Sequence, residues 1–292
     1  MPELITDFLT KPIPKVPHII GRGILPVASL GVLYGEPKHN KSYVVLNMMM
    51  DLAAGRNIFN AEYQDGSPVL PVSKPYKILY IEQEIGDDGL RERLLGMTGG
   101  EIPVGIDLYI KSRDMQMRLD TDEGKLAIAQ EIDAVKPDLV ILDPLAEFQL
   151  INENSAQEMG ASVRVLKRWI ERFKCAILVI HHAGKVDFDN PRKGGARIRG
   201  SSALFGAVDT SIEVTRKSEP SSPSPILEIA FDIRRGKPIL PIYVRREETG
   251  RITYIGDKWT GGMSAGAVDT VYRRPRKALS EAVETKSKYE EL

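Results

Sequence analysis

Four short runs in this chain are apolar almost without interruption: LGVLYG at residues 30–35, KILYIE within 76–84, LVILD within 138–144 and AILVI within 175–183. A strand with one face in water alternates apolar and polar residues, whereas a continuously apolar strand has both faces covered. Segments of helical character separate the runs, over about 41–54, 87–95, 121–135 and 155–173, and VGIDLYI at 104–110 reads as a further short strand. Buried strands alternating with helices predict an α/β fold with a mostly parallel central sheet flanked by helices. After residue 211 the pattern changes. SIEVTR, ILEIAFDIRR, PIYVRRE and RITYIG are strand-like with short polar breaks and predict an antiparallel C-terminal strand extension of that sheet. SEPSSPSPI at 218–226 reads as a hairpin or linker.

The 292 residues, 42% of them hydrophobic, suffice for one substantial core. That core is expected over 24–258. Residues 1–23 read as an extended arm, because Pro12, Pro14 and Pro17 remove backbone donors. Residues 259–292 read as a charged, flexible tail. Lys and Arg together number 40, as do Asp and Glu, which excludes a binder that works by overall positive charge but leaves room for a local basic patch. The single cysteine, Cys175, excludes an internal disulfide and a Cys-based zinc centre. The first twenty residues lack the basic and apolar regions of a signal peptide, and no apolar run reaches the roughly 18 residues that span a bilayer. A cytoplasmic protein without a membrane partner is the expectation.

The strongest local feature is GEPKHNKS, which joins the first apolar strand to a helix: Gly35, Glu36, Pro37, Lys38, His39, Asn40, Lys41 and Ser42, with Tyr43 next. A phosphate loop has glycine, four residues, then Gly-Lys-Ser/Thr, and aims backbone N–H groups at phosphate oxygens from a helix N-terminus. Lys41 is placed to reach the β and γ phosphates of ATP, and the Ser42 hydroxyl to hold Mg²⁺. Asn40 stands where the second glycine belongs. Asn is the non-glycine residue best suited to the left-handed conformation such a loop requires.

Acids close two of the buried strands. Asp143 ends LVILD and is placed to orient Mg²⁺ and its waters. Glu82 and Glu84 end ILYIEQE, share a face by their two-residue spacing, and offer one general base; Glu84, nearer the tip, is the favoured one. His181 and His182 end LVIHH on opposite faces, so one of them can meet the nucleotide. Between them and Ser201, AGKVDFDNPRKGGARIRG carries Lys185, Arg192, Lys193, Arg197 and Arg199 with two adjacent glycines. Such a basic loop suits the phosphate backbone of a single-stranded nucleic acid.

In this order these pieces resemble the RecA-superfamily P-loop ATPases, and within them the hexameric replicative helicases encoded by plasmids and the related ATPases of phages and mobile elements. The likeness runs from Ile24 to Tyr254. LAAGRNIF and the pairing of HHAGK with RGSSAL are more distinctive in it than the phosphate loop. It implies ATP and Mg²⁺ as cofactors, with Lys41 and Ser42 as the phosphate-loop pair. Glu84 falls on the catalytic glutamate, Asp143 on the magnesium-orienting acid and His182 near the phosphate-sensing strand end. FDIRRGKP resembles the late strand that lends a basic finger to the neighbouring subunit, with Arg234 the better match and Arg235 the alternative. A homo-oligomeric ring of six subunits with nucleotide sites between them is implied, as is single-stranded DNA against the basic loop. The expected function is a helicase-type motor in DNA replication. The alternatives are a RecA-like recombination or strand-annealing ATPase and a nucleotide-gated regulatory ATPase with weak turnover. Asn40, the main departure, bears on hydrolysis rate more than on binding.

Overall fold

The computed structural model describes residues 2–12, 16–150, 155–183, 202–234 and 236–258, Ser202 by its backbone alone. All the elements below belong to the unit Met1–Asp257. The expected tail and the basic loop, with Lys185, Arg192, Lys193, Arg197 and Arg199, lie outside the described residues, as does Arg235.

Helix α1 (Ile5–Thr10) buries none of its residues. Strands β1 (His18–Ile20) and β2 (Leu25–Pro26) pair antiparallel as a small ribbon. Ile19, Ile20, Ile24 and Leu25 of this ribbon are buried in the main core. The stretch expected as an extended arm thus contains a helical turn and ends in core strand, because Ile19 and Ile20 supply apolar area that the prolines before them do not.

The main sheet follows: β3 (Leu30–Gly35), α2 (Lys41–Ala53), β4 (Ile78–Glu82), α3 (Gly86–Thr98), β5 (Leu108–Ser112), α4 (Asp122–Val135), β6 (Leu139–Asp143), α5 (Ala156–Phe173), β7 (Ala176–His182), α6 (Ser202–Ala207), then β8 (Thr210–Arg216), β9 (Ile226–Ile233), β10 (Ile242–Arg246) and β11 (Ile252–Gly256). Its nine strands are ordered β11-β10-β9-β8-β3-β7-β6-β4-β5. The run from β8 to β5 is parallel. β9, β10 and β11 continue it as an antiparallel meander from β8. SIEVTR, expected in the antiparallel extension, is β8 and runs parallel to β3, because the chain returns along α6 before it. The strand expected over 104–110 forms at Leu108–Ser112, past the breaks at Pro103 and Gly105, as a half-exposed edge.

Alternate residues of each central strand enter opposite cores, which is why the runs are apolar throughout. Leu33, Ile78, Tyr80, Ile141 and Leu178 join the core beneath α2 and α3. Val32, Leu79, Ile81, Val140 and Val179 join the one beneath α4 and α5. α2 is buried on nearly every side. α5 buries Met159, Val163, Leu166 and Ile170 at helical spacing, and the Ser155 hydroxyl caps it by accepting from the Glu158 N–H. At the far end of α2 the buried Asp51 carboxylate accepts from the Arg56 guanidinium and, at 2.9 Å, from the Phe59 N–H. This clamp spans DLAAGRNIF and gives that distinctive segment a physical role: it fixes where the central helix stops.

Candidate nucleotide site

The register of the sheet sets Gly35 of β3 beside His182 of β7, and Glu82 of β4 beside Asp143 of β6. The sequence-derived site residues on these strands therefore share one edge, the carboxyl ends of the parallel strands, where open α/β sheets bind ligands. Gly35 meets a steric demand there, since a Cβ on it would lie 2.4 Å from the Val214 carbonyl oxygen.

The loop from Glu36 to Asn40 turns back on itself through the His39 N–H donated to the Glu36 carbonyl, 3.2 Å. Lys38 and Asn40 both take left-handed conformations, Asn40 at φ 62°, ψ 25°. Asn40 thus holds the backbone shape that the missing glycine would hold. The Lys41 ammonium donates to the Gly35 and Glu36 carbonyls at 3.0 Å each and meets His182 Nδ1 at 3.3 Å. Burial lowers the Lys41 pKa, opposed by the charges of Asp143, Glu84 and Glu36. His39 Nε2 lies 3.8 Å from Glu36, and its Nδ1 accepts from the Arg216 N–H at 3.4 Å. Ser42 and Tyr43, half-buried, follow Lys41 in the first turn of α2.

Asp143 is buried and accepts a 2.8 Å hydrogen bond from the Tyr80 hydroxyl. Burial raises its pKa to about 6; the Tyr80 bond works against that, Glu82 and Glu84 add to it, and Lys41 offsets part. Tyr80 lies on β4 two residues before Glu82. Within an apolar strand nothing marks one tyrosine as a hydrogen-bond donor to an acid on the next strand.

The two candidate bases separate sharply. The Glu82 carboxylate is buried and accepts from the N–H groups of Glu84 (2.6 Å), Ile85 and Gly86 (2.9 Å), closing the N-terminus of α3. Glu84 is exposed, and its charge reaches both Lys41 and Asp143. The buried Asp143 carboxylate and the half-buried Ser42 hydroxyl are the groups that could hold a hydrated Mg²⁺. Mg²⁺ keeps several waters and needs only one or two protein groups, and among the described residues no cluster of three His, Cys, Asp or Glu is set to hold a metal alone.

Arg234 is not brought to this edge. β9 runs antiparallel to β8, with Ile233 opposite Thr210, so Arg234 stands at the amino-terminal ends of the parallel strands. A six-residue strand is about 20 Å long, which separates Arg234 from the phosphate loop of its own chain. Its guanidinium is exposed, donates to the Gly206 carbonyl at 2.7 Å, and lines a cleft of about 260 Å³ with Phe205, Asp209 and Asp232.

The family model of the AAA domain matches residues 1–187. This chain belongs to that family. Two solved structures share the fold of this AAA-domain chain. One is a DnaB-like replicative helicase described with its interactions with primase: 12% identity, TM-score 0.56, covering 77% of this chain and 57% of that one. The AAA-domain chain thus spans little more than half of that helicase's length. The other is a KaiC-like protein from the hyperthermophilic archaeon Pyrococcus horikoshii OT3: 11% identity, TM-score 0.53, covering 81% of this chain and 93% of that one. Curated protein sequences give no match. At these identities the likeness concerns the fold, which is that of the RecA-like P-loop ATPases. Among the described residues no helix is long and apolar enough to cross a membrane.

Proposed function

We propose that this protein binds ATP with Mg²⁺ at the phosphate loop and hydrolyses it as a helicase-type motor on single-stranded DNA, assembled as a ring. The observation that carries the reading is the convergence of Lys41, Asp143, His182 and the exposed Glu84 at one sheet edge.

Lys41 would exchange its two carbonyl acceptors for phosphate oxygens, which brings its charge to the nucleotide. Ser42 and Asp143 would hold Mg²⁺, which when bound draws charge from the phosphates. The exposed Glu84 would accept the proton of the attacking water, a role for which Glu82, buried and held by three N–H groups at the start of α3, is poorly placed. His182, in contact with Lys41 and at the end of the strand that leads into the basic loop, would report whether the γ-phosphate is present. The basic loop itself, with Lys185, Arg192, Lys193, Arg197 and Arg199, is proposed to grip the DNA backbone. Arg234, on the opposite edge, suits a finger that reaches a neighbouring subunit's nucleotide and not its own.

The test is ATP turnover by the wild type and by Lys41→Ala, each with and without single-stranded DNA. DNA-stimulated turnover that is lost in Lys41→Ala supports the motor. ATP bound without turnover would refute it and leave the nucleotide-gated switch, the reading that Asn40 in place of glycine favours. Turnover without unwinding of a forked duplex would leave the annealing reading.

A further inference from the structure

Two guanidinium groups converge on one ring in the first turn of the phosphate-loop helix. Arg93 of α3 lies 5.0 Å from the centroid of the Tyr43 ring, and Arg246 at the end of β10 lies 4.9 Å from it. The ring is fixed from below. A Cβ on Gly250, in the β10–β11 turn, would come within 2.7 Å of the Tyr43 Cε1. One helical turn on, the Asn47 side chain donates to the carbonyls of Tyr43 (2.8 Å) and Gly250 (3.0 Å) and accepts from the Ile252 N–H (3.0 Å). Three elements distant in sequence thus hold Tyr43 and its two arginines as one unit.

The charges of this unit are not balanced. Among the described residues neither Arg93 nor Arg246 forms an ion pair. Among the described residues the Arg246 side chain has one hydrogen bond, donated to the Pro223 carbonyl at 2.9 Å, and its Nε is buried without a partner. Both are half-buried, with their stems covered by the protein. The charge of Arg93 is also felt at Tyr80, whose hydroxyl is bonded to Asp143. The pair therefore flanks the same edge as Lys41, one residue beyond Ser42. Stacking on an aromatic face removes rotamer freedom from an arginine and leaves its N–H fork facing outward, a form suited to phosphate oxygens.

We propose that Arg93 and Arg246, held against Tyr43, bind the polyphosphate of the nucleotide from outside the phosphate loop, as a second cationic element beside Lys41. This rests on the phosphate loop being a nucleotide site. The negative charge of a nucleoside triphosphate, added to the nearby carboxylates of Asp143 and Glu84, exceeds what Lys41 and one divalent cation neutralise, and the two arginines offset that excess.

Calorimetric binding of ATP and of inorganic tripolyphosphate to the full chain tests it, using Arg93→Met, Arg246→Met and the corresponding Lys variants. Each Met variant is expected to lose about tenfold in affinity for both probes, with a shallower salt dependence. The Lys variants, which keep the charge, are expected to recover part of the loss, which separates lost charge from a damaged fold. Weakened ATP with unchanged tripolyphosphate would overturn the proposal in favour of base stacking. Unchanged affinity for both would leave the arginines a packing role alone. A wild type that binds neither probe would overturn the phosphate-loop reading itself.

Discussion

Replacing Asp143 by Asn tests whether the acid at the heart of the site is held at the expense of stability. In the folded chain its pKa is about 6 against an ordinary 3.8, chiefly because burial disfavours the charged form. That gap corresponds to about 3 kcal/mol. The folded state holds the proton more tightly than the unfolded state does, so stability falls as pH rises from about 4 to about 6 and then levels off. Below pH 4 the carboxyl is neutral in both states and the cost is absent. Asn keeps an acceptor for the Tyr80 hydroxyl and carries no charge, but it buries an amide N–H₂ that offsets roughly 1 kcal/mol of the gain. Free of nucleotide and metal, Asp143→Asn should therefore be more stable than the wild type by about 2 kcal/mol at pH 7.5. For a domain of this size that is about 4–8 °C in melting temperature. The advantage should shrink below pH 6 and vanish or reverse near pH 4. Mg²⁺ with ATP should restore the wild type and leave the variant behind. Calorimetric melting from pH 4 to 8 in a chelating buffer measures it. A variant no more stable than the wild type at pH 7.5, or a difference that does not change with pH, would refute the reasoning.

Glu84→Gln should lower ATP turnover by about 10²–10⁴ with nucleotide affinity and melting temperature intact. Glu82→Gln should instead destabilise the fold by about 1–3 kcal/mol in urea titration, since an amide cannot accept all three N–H groups at the start of α3. Asn40→Gly should leave stability within about 1 kcal/mol, whereas Asn40→Ala, forced to φ near 62°, should cost about 1–2 kcal/mol; equal midpoints for the two would show that the loop relaxes away from that conformation. Tyr80→Phe should cost about 1–3 kcal/mol at pH 7.5 and less at pH 4, because it strips a buried carboxylate of its donor only while that carboxylate is charged; chemical denaturation at both pH values reads the difference.

Much of this architecture was legible in the chain because local chemistry dictates it. The apolar runs KILYIE and LVILD have no polar face to give to water, so a sheet covered on both sides was the physical solution open to them. The phosphate loop was legible because its function is a backbone shape, and Asn40 was recognisable as a residue able to hold that shape. Which way a strand runs was not. SIEVTR has the composition of its antiparallel neighbours, and only the return along α6 sets it parallel to β3. Nor were the roles of the two glutamates, since both end the same strand and only the start of α3 consumes one carboxylate and leaves the other in water. Tyr80 and Asp143, or Arg93, Tyr43 and Arg246, lie far apart along the chain. By itself the sequence determined what is encoded over a few neighbouring residues: strand burial, loop conformation and the acids at the strand tips. Which distant side chains meet, and so which charges are compensated and which await an anion, was decided by the tertiary structure, because the field at a buried group is the sum over elements that only folding brings together.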